Sequence, residues 1–163
     1  MKGLLELGQA LAEHLREQGV EAVTAWTPER RLRPGRAVVA VSLRKLESGP
    51  PGFQNYLGER YNQETEQWEE LYGKKVELTF GLDVYAATAQ EVQAGLEVLG
   101  TALEQRGAAG MAPVELSAGE TEYQSESRRY VCPVQARFSA WATAVSRGEG
   151  EFLDFEVRGE SEG

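Results

Sequence analysis

Between Lys75 and Ala86 the chain alternates without a break. Val76, Leu78, Phe80, Leu82 and Val84 fall on one side, and Lys75, Glu77, Thr79, Gly81 and Asp83 on the other. Period two sustained this long leaves no room for a helix, whose apolar residues recur every three to four positions. A strand with one apolar and one polar face must cover the first and wet the second. That pattern belongs to an antiparallel sheet packed on one side.

The remaining segments supply the cover. A helix is expected over residues 3–18, where Leu4, Leu7, Leu11 and Leu15 recur at helical spacing and Leu5 widens the stripe. Gly19 stands where a C-terminal glycine cap belongs. A second helix opens at Thr88, with Glu91 three residues on in capping-box spacing, and runs to about Arg106. Its stripe is Ala89, Val92, Leu96, Leu99 and Leu103, and Gly107 closes it. Short strands are expected over Val20–Trp26, Pro113–Ser117 and Phe152–Val157. Another covers Ala37–Leu46 after the turn Arg33-Pro34-Gly35-Arg36, with Ala37, Val39, Val41 and Leu43 on one face and Ser42 and Arg44 on the other. A long one covers Arg129–Val145. There Tyr130, Cys132, Val134, Ala136, Phe138, Ala140 and Ala142 oppose Arg129, Gln135, Arg137, Ser139 and Thr143.

The fold class is therefore α+β: a mainly antiparallel sheet with two helices packed on one face. The length of 163 residues fits a single domain over 1–158, with a frayed tail over 159–163. One segment departs from this economy. Residues 48–74 place Phe53, Tyr56, Tyr61, Trp68 and Tyr72 among Gln, Asn, Arg and Glu. This reads as an extended hairpin arm turning near Asn62–Thr65, with a helix over Glu64–Tyr72 as the alternative. Aromatic rings interleaved with charges suit a protein interface, or the covering of an open edge of the same domain.

Charge narrows the function classes. Net charge is −9, with 11 basic and 12 acidic groups in residues 1–80 against 6 and 14 in residues 81–163. An acidic half disfavours phosphate binding as the main task. The basic stretch Arg30, Arg31, Arg33, Arg36, Arg44 and Lys45 contains no acid. It is a candidate electrostatic contact, to nucleic acid or to an acidic neighbour. No apolar run is long enough for a membrane span, and the first residues are too soon charged for a secretory signal. The lone Cys132 permits no internal disulfide, so synthesis in a reducing cytoplasm is expected.

Catalytic patterns are missing. One histidine, His14, and one cysteine lie more than a hundred residues apart, and neither CxxC nor HExxH occurs. His14 reads as a boundary residue of a surface helix and Cys132 as a small buried hydrophobe. Gly107-Ala108-Ala109-Gly110 lacks the lysine of a phosphate loop. Acidic clusters at Glu64, Glu66, Glu69 and Glu70, at Glu120, Glu122 and Glu126, and at Glu149, Glu151, Asp154 and Glu156 read as solvated surface. No cofactor or metal is expected and the chain does not read as an enzyme. The alternative is a small-molecule- or peptide-binding α+β domain, with weak hydrolase activity open to it.

Two phrases carry a resemblance. They are Trp68-Glu69-Glu70-Leu71-Tyr72-Gly73 running into Leu78-Thr79-Phe80-Gly81-Leu82-Asp83-Val84-Tyr85, and Arg128-Arg129-Tyr130-Val131-Cys132-Pro133-Val134-Gln135-Ala136-Arg137-Phe138. With the order of helices and strands, the chain resembles tail terminator and tail-completion proteins of bacteriophages and related contractile tail-like particles. That resemblance implies a virion subunit made in a bacterial cytoplasm. It implies a ring, typically of six copies, that caps the tail tube, ends its polymerisation and joins it to the head or collar side. Partners would be further copies, the tube, and sheath or connector proteins, with DNA passing through the lumen. Another tail or head–tail connector component has similar features. The family offers no catalytic residues to carry over.

Overall fold

The alternating segment is the lower half of a longer strand. In the computed structural model, residues 3–25, 32, 35–49, 55–104, 110–146 and 152–159 are described. The order is α1 (Leu4–Glu17), β1 (Glu21–Val23), β2 (Val38–Ser48), β3 (Asn55–Asn62), β4 (Gln67–Ala86), α2 (Ala89–Glu104), β5 (Ala112–Ala118), β6 (Glu122–Gln124), β7 (Arg129–Cys132), β8 (Val134–Ser146) and β9 (Phe152–Gly159). These nine described strands form one sheet, antiparallel except for the β1–β2 pair.

β4 is its spine. Along one edge β4 pairs with β3 over Gln67–Gly73 and with β2 over Val76–Tyr85. Along the other it pairs with β8 over Glu70–Gly81 and with β7 over Val84–Ala86. β5 and β9 then pair with β8, and β6 with β7. The even-numbered side chains from Val76 to Ala86 are buried, as are Val134, Ala136, Phe138, Ala140 and Ala142 facing the same way on β8. Phe80 and Phe138 meet edge to face at 6.0 Å in the middle, the geometry that aromatic quadrupoles favour.

Both helices cover this one face. Leu7, Leu11, Ala12 and Leu15 of α1 join Val92, Leu99, Ala102 and Leu103 of α2 in a single cluster with the strand residues. Leu5 is 71% exposed and does not belong to the stripe. It lies about 100° from Leu4 around the helix, which turns it off the sheet. α1 ends in a Schellman motif. Gly19, at φ 89, donates to the Arg16 carbonyl, and Val20 donates to the Leu15 carbonyl at 2.9 Å. Only glycine holds that backbone without strain. At α2, Thr88 Oγ1 accepts the Glu91 N–H at 3.2 Å. The Glu91 carboxylate does not return the favour but accepts from the Gly35 N–H, tying the helix to the segment before β2.

Three further expectations need correction. β2 carries a bulge between Leu43 and Lys45, so Arg44 is an extra residue and the alternation resets. Leu43 keeps its expected face yet is 37% exposed. Arg129–Val145 is not one strand. The pairing partners on either side keep the same register, but Pro133 has no N–H to give the ladder. There the Asp83 carboxylate accepts from the Val134 N–H instead. Arg129 is buried and not on a wet face, with its Nε donating to the Ser127 carbonyl and its charge beside Tyr85. Trp26 and residues 105–109, where the end of the second helix was expected, lie outside the described residues, as do residues 160–163 of the expected tail. The described strand over 21–23 is shorter than expected.

Candidate assembly surface

The hairpin of β3 and β4 turns at residues 63–66, so strand and not helix occupies Gln67–Tyr72. The turn has a local cause. Asn62 Oδ1 accepts from the Glu64 N–H at 3.0 Å, and Glu66 takes positive φ, both common devices in tight turns. β8 and β9 extend alongside it, making a four-stranded extension in the order β3-β4-β8-β9.

Its two faces differ. On one, Glu69 is 2% exposed. Arg60 Nε donates to its Oε2 at 3.0 Å and Asn62 Nδ2 to its Oε1 at 2.9 Å. A buried carboxylate is tolerated because it is paired and hydrogen-bonded. On the other, the cross-strand pair Tyr61–Trp68 has ring centroids 5.5 Å apart and the pair Tyr56–Tyr72 has them 5.6 Å apart. By parity along β4 this is the face that the helices cover lower down. Here the rings lie open: Tyr56 is 56%, Tyr61 48% and Trp68 65% exposed, with Tyr72 half-buried.

Acidic neighbours shape the ladder electrically. Tyr72 Oη donates to Glu70 Oε2 at 2.9 Å, and this bond, with some desolvation, raises its pKa above 10.0. Desolvation and the charges of Glu59 and Glu70 raise that of Tyr56. The result is an aromatic patch with a carboxylate rim, on which the Tyr56 and Tyr72 hydroxyls hold their protons more firmly than usual.

The uncovered face of the sheet is polar. A shallow groove of about 370 Å³ crosses it between Arg44 and Lys45 on β2 and Glu115 and Arg137 on the far side. Its charges are largely paired inside the chain: Arg44 with Asp83, Lys45 with Glu47 at 3.1 Å, Arg137 with Glu115 at 3.0 Å. Gly81 makes room for this, because a Cβ there would collide with the Arg44 guanidinium.

Of the residues singled out by sequence, the structure brings Tyr56, Tyr61, Trp68 and Tyr72 together on one face. Phe53 lies outside the described residues. So do Arg30, Arg31 and Arg33, while Arg36 is exposed just before β2. Half-buried His14 is on α1, and Cys132 is buried, its thiol directed to the Gly119 carbonyl at 3.3 Å. Among the described residues no group of three or more His, Cys, Asp or Glu side chains is placed to hold a metal ion. No described helix is long and apolar enough to cross a membrane. Sequence reading grouped Glu69 with solvated acids. Its lone signal was position, cross-strand from Arg60 once the hairpin register is known. Comparison with protein-family models and with curated proteins returned no match.

Proposed function

We propose that this chain is a non-enzymatic subunit of a phage-tail-type particle, a tail terminator. Copies form a ring, hexameric by the resemblance, that caps the tail tube, stops its growth and joins it to the head or collar side. The observation that supports this reading is the open aromatic ladder on the arm. Rings in cross-strand contact restrict one another before any partner arrives, so docking onto them costs less further order than docking onto isolated rings. Tyr and Trp are the residues that most often anchor interfaces.

Charge agrees with a conduit. Six copies would carry about −54 in all, which repels DNA and lets it slide. The polar sheet face contributes little to that excess because its charges are paired. Exposed acids among the described residues include Glu59, Glu64 and Glu66 on the arm and Glu120, Glu122 and Glu126 around β6.

Replacing both Tyr61 and Trp68 with Ala is expected to abolish incorporation into tail particles. The thermal midpoint of the isolated chain should stay within a few degrees, since both rings are open to water. Incorporation at the wild-type level, scored by mass spectrometry of purified particles, would refute the reading.

A further inference from the structure

Among the described residues the sheet is left open along two edges, and they match. On one side β1 covers only Val38–Ala40 of β2; among the described residues no strand pairs with the outer side of Val41–Ser48. On the other side β5 and β6 border β8 and β7, and every residue from Pro113 to Glu126 is exposed.

Direction comes first. β2 is antiparallel to β4, β4 to β8, and β8 to β5. Hence β5 runs opposite to β2, and a copy set alongside would present β5 antiparallel to β2. Level comes second. Lys45, Thr79, Arg137 and Glu115 are successive partners in one row across the sheet. Leu43, Phe80, Ala136 and Leu116 are partners in another. A neighbour placed side by side, with no shift along the strands, would bring Lys45 to Glu115 and Leu43 to Leu116. Faces come third. Leu43 and Leu116 both lie on the helix side, where they are 37% and 47% exposed, and Lys45 and Glu115 both lie on the polar side. Bulges at Arg44 and Val114 and the proline at 113 guard the edges against indiscriminate pairing. The two bulges flank the Lys45–Glu115 row and leave it intact.

We propose that copies of this chain join edge to edge, β2 of one against β5 of the next, in one continuous sheet. Such a contact uses two different patches and closes into a ring when the rotation allows. It rests on the assembly reading only in taking a second copy as the occupant.

Sedimentation of the purified full chain over a range of concentrations tests it. The wild type should form a closed oligomer. K45E and E115K should each weaken association by roughly five- to tenfold, as reversal of one partly exposed pair allows, and the double variant should recover it. L116D should be monomeric with its thermal midpoint retained, because Leu116 is already half open to water. A wild type that stays monomeric at every concentration overturns the proposal. So does an oligomer indifferent to L116D, or a double variant no better than the singles. An edge-dependent oligomer that never enters tail particles would reject the tail reading and leave this one standing.

Discussion

Glu69 shows how much one side chain can organise. Its carboxylate gathers Arg60 and Asn62 across the hairpin while lying almost wholly out of water. Replacing it with Ala leaves both donors to find water and should cost about 1–3 kcal/mol. The loss should fall on the arm, seen as faster amide hydrogen exchange in β3 with the Phe80 region unchanged. The tyrosines provide a second readout. Tyr56, Tyr72 and Tyr85 all have pKa values raised above 10.0, Tyr85 by burial and by Asp83. A raised folded-state value means that the native chain holds the proton longer than the unfolded one. Stability from these groups is therefore complete below pH 10 and declines as pH climbs through the folded values. An absorbance titration of phenolate should show late-ionising tyrosines, and Tyr72→Phe should remove one of them and soften the alkaline decline.

At the scale of elements, the sequence was most legible where one physical rule acted alone. Alternation gave β4 below Lys75, the leucine spacing gave α1, and Thr88 with Glu91 marked the start of α2. Thr88→Ala should cost about 1 kcal/mol, the usual worth of an N-cap, read as a shift in the urea midpoint with an unchanged slope. Legibility failed where two rules met. The Arg44 bulge reset an alternation that looked regular. Pro133 broke a strand whose side-chain pattern continued through it. Leu5 looked like stripe because it adjoins Leu4, and β6 is three residues long with no buried side chain to betray it. For the site, composition marked the arm as unusual, yet which face its rings share depends on hairpin register. The matched edges were invisible, since rows across a sheet join residues far apart in sequence.

For the whole molecule, the excess of acid over base predicts a simple bulk behaviour. Duplex DNA should not be retained by the chain at low salt, where any attraction would be greatest. A salt-sensitive mobility shift would turn the Arg30–Lys45 stretch into a DNA contact and overturn the conduit. Shape carries a consequence of its own. β4 runs for 20 residues with no break between the buried Phe80 and the open Trp68, about 65 Å if straight. It is flanked along both edges for most of that length, and β8 pairs with it without a break from Glu70 to Gly81, across the root of the arm. A pull on the tip would load rungs of hydrogen bonds together, in shear, and not unzip them singly. Strain applied at Trp68 would travel along one unbroken strand toward the packed rings of Phe80 and Phe138.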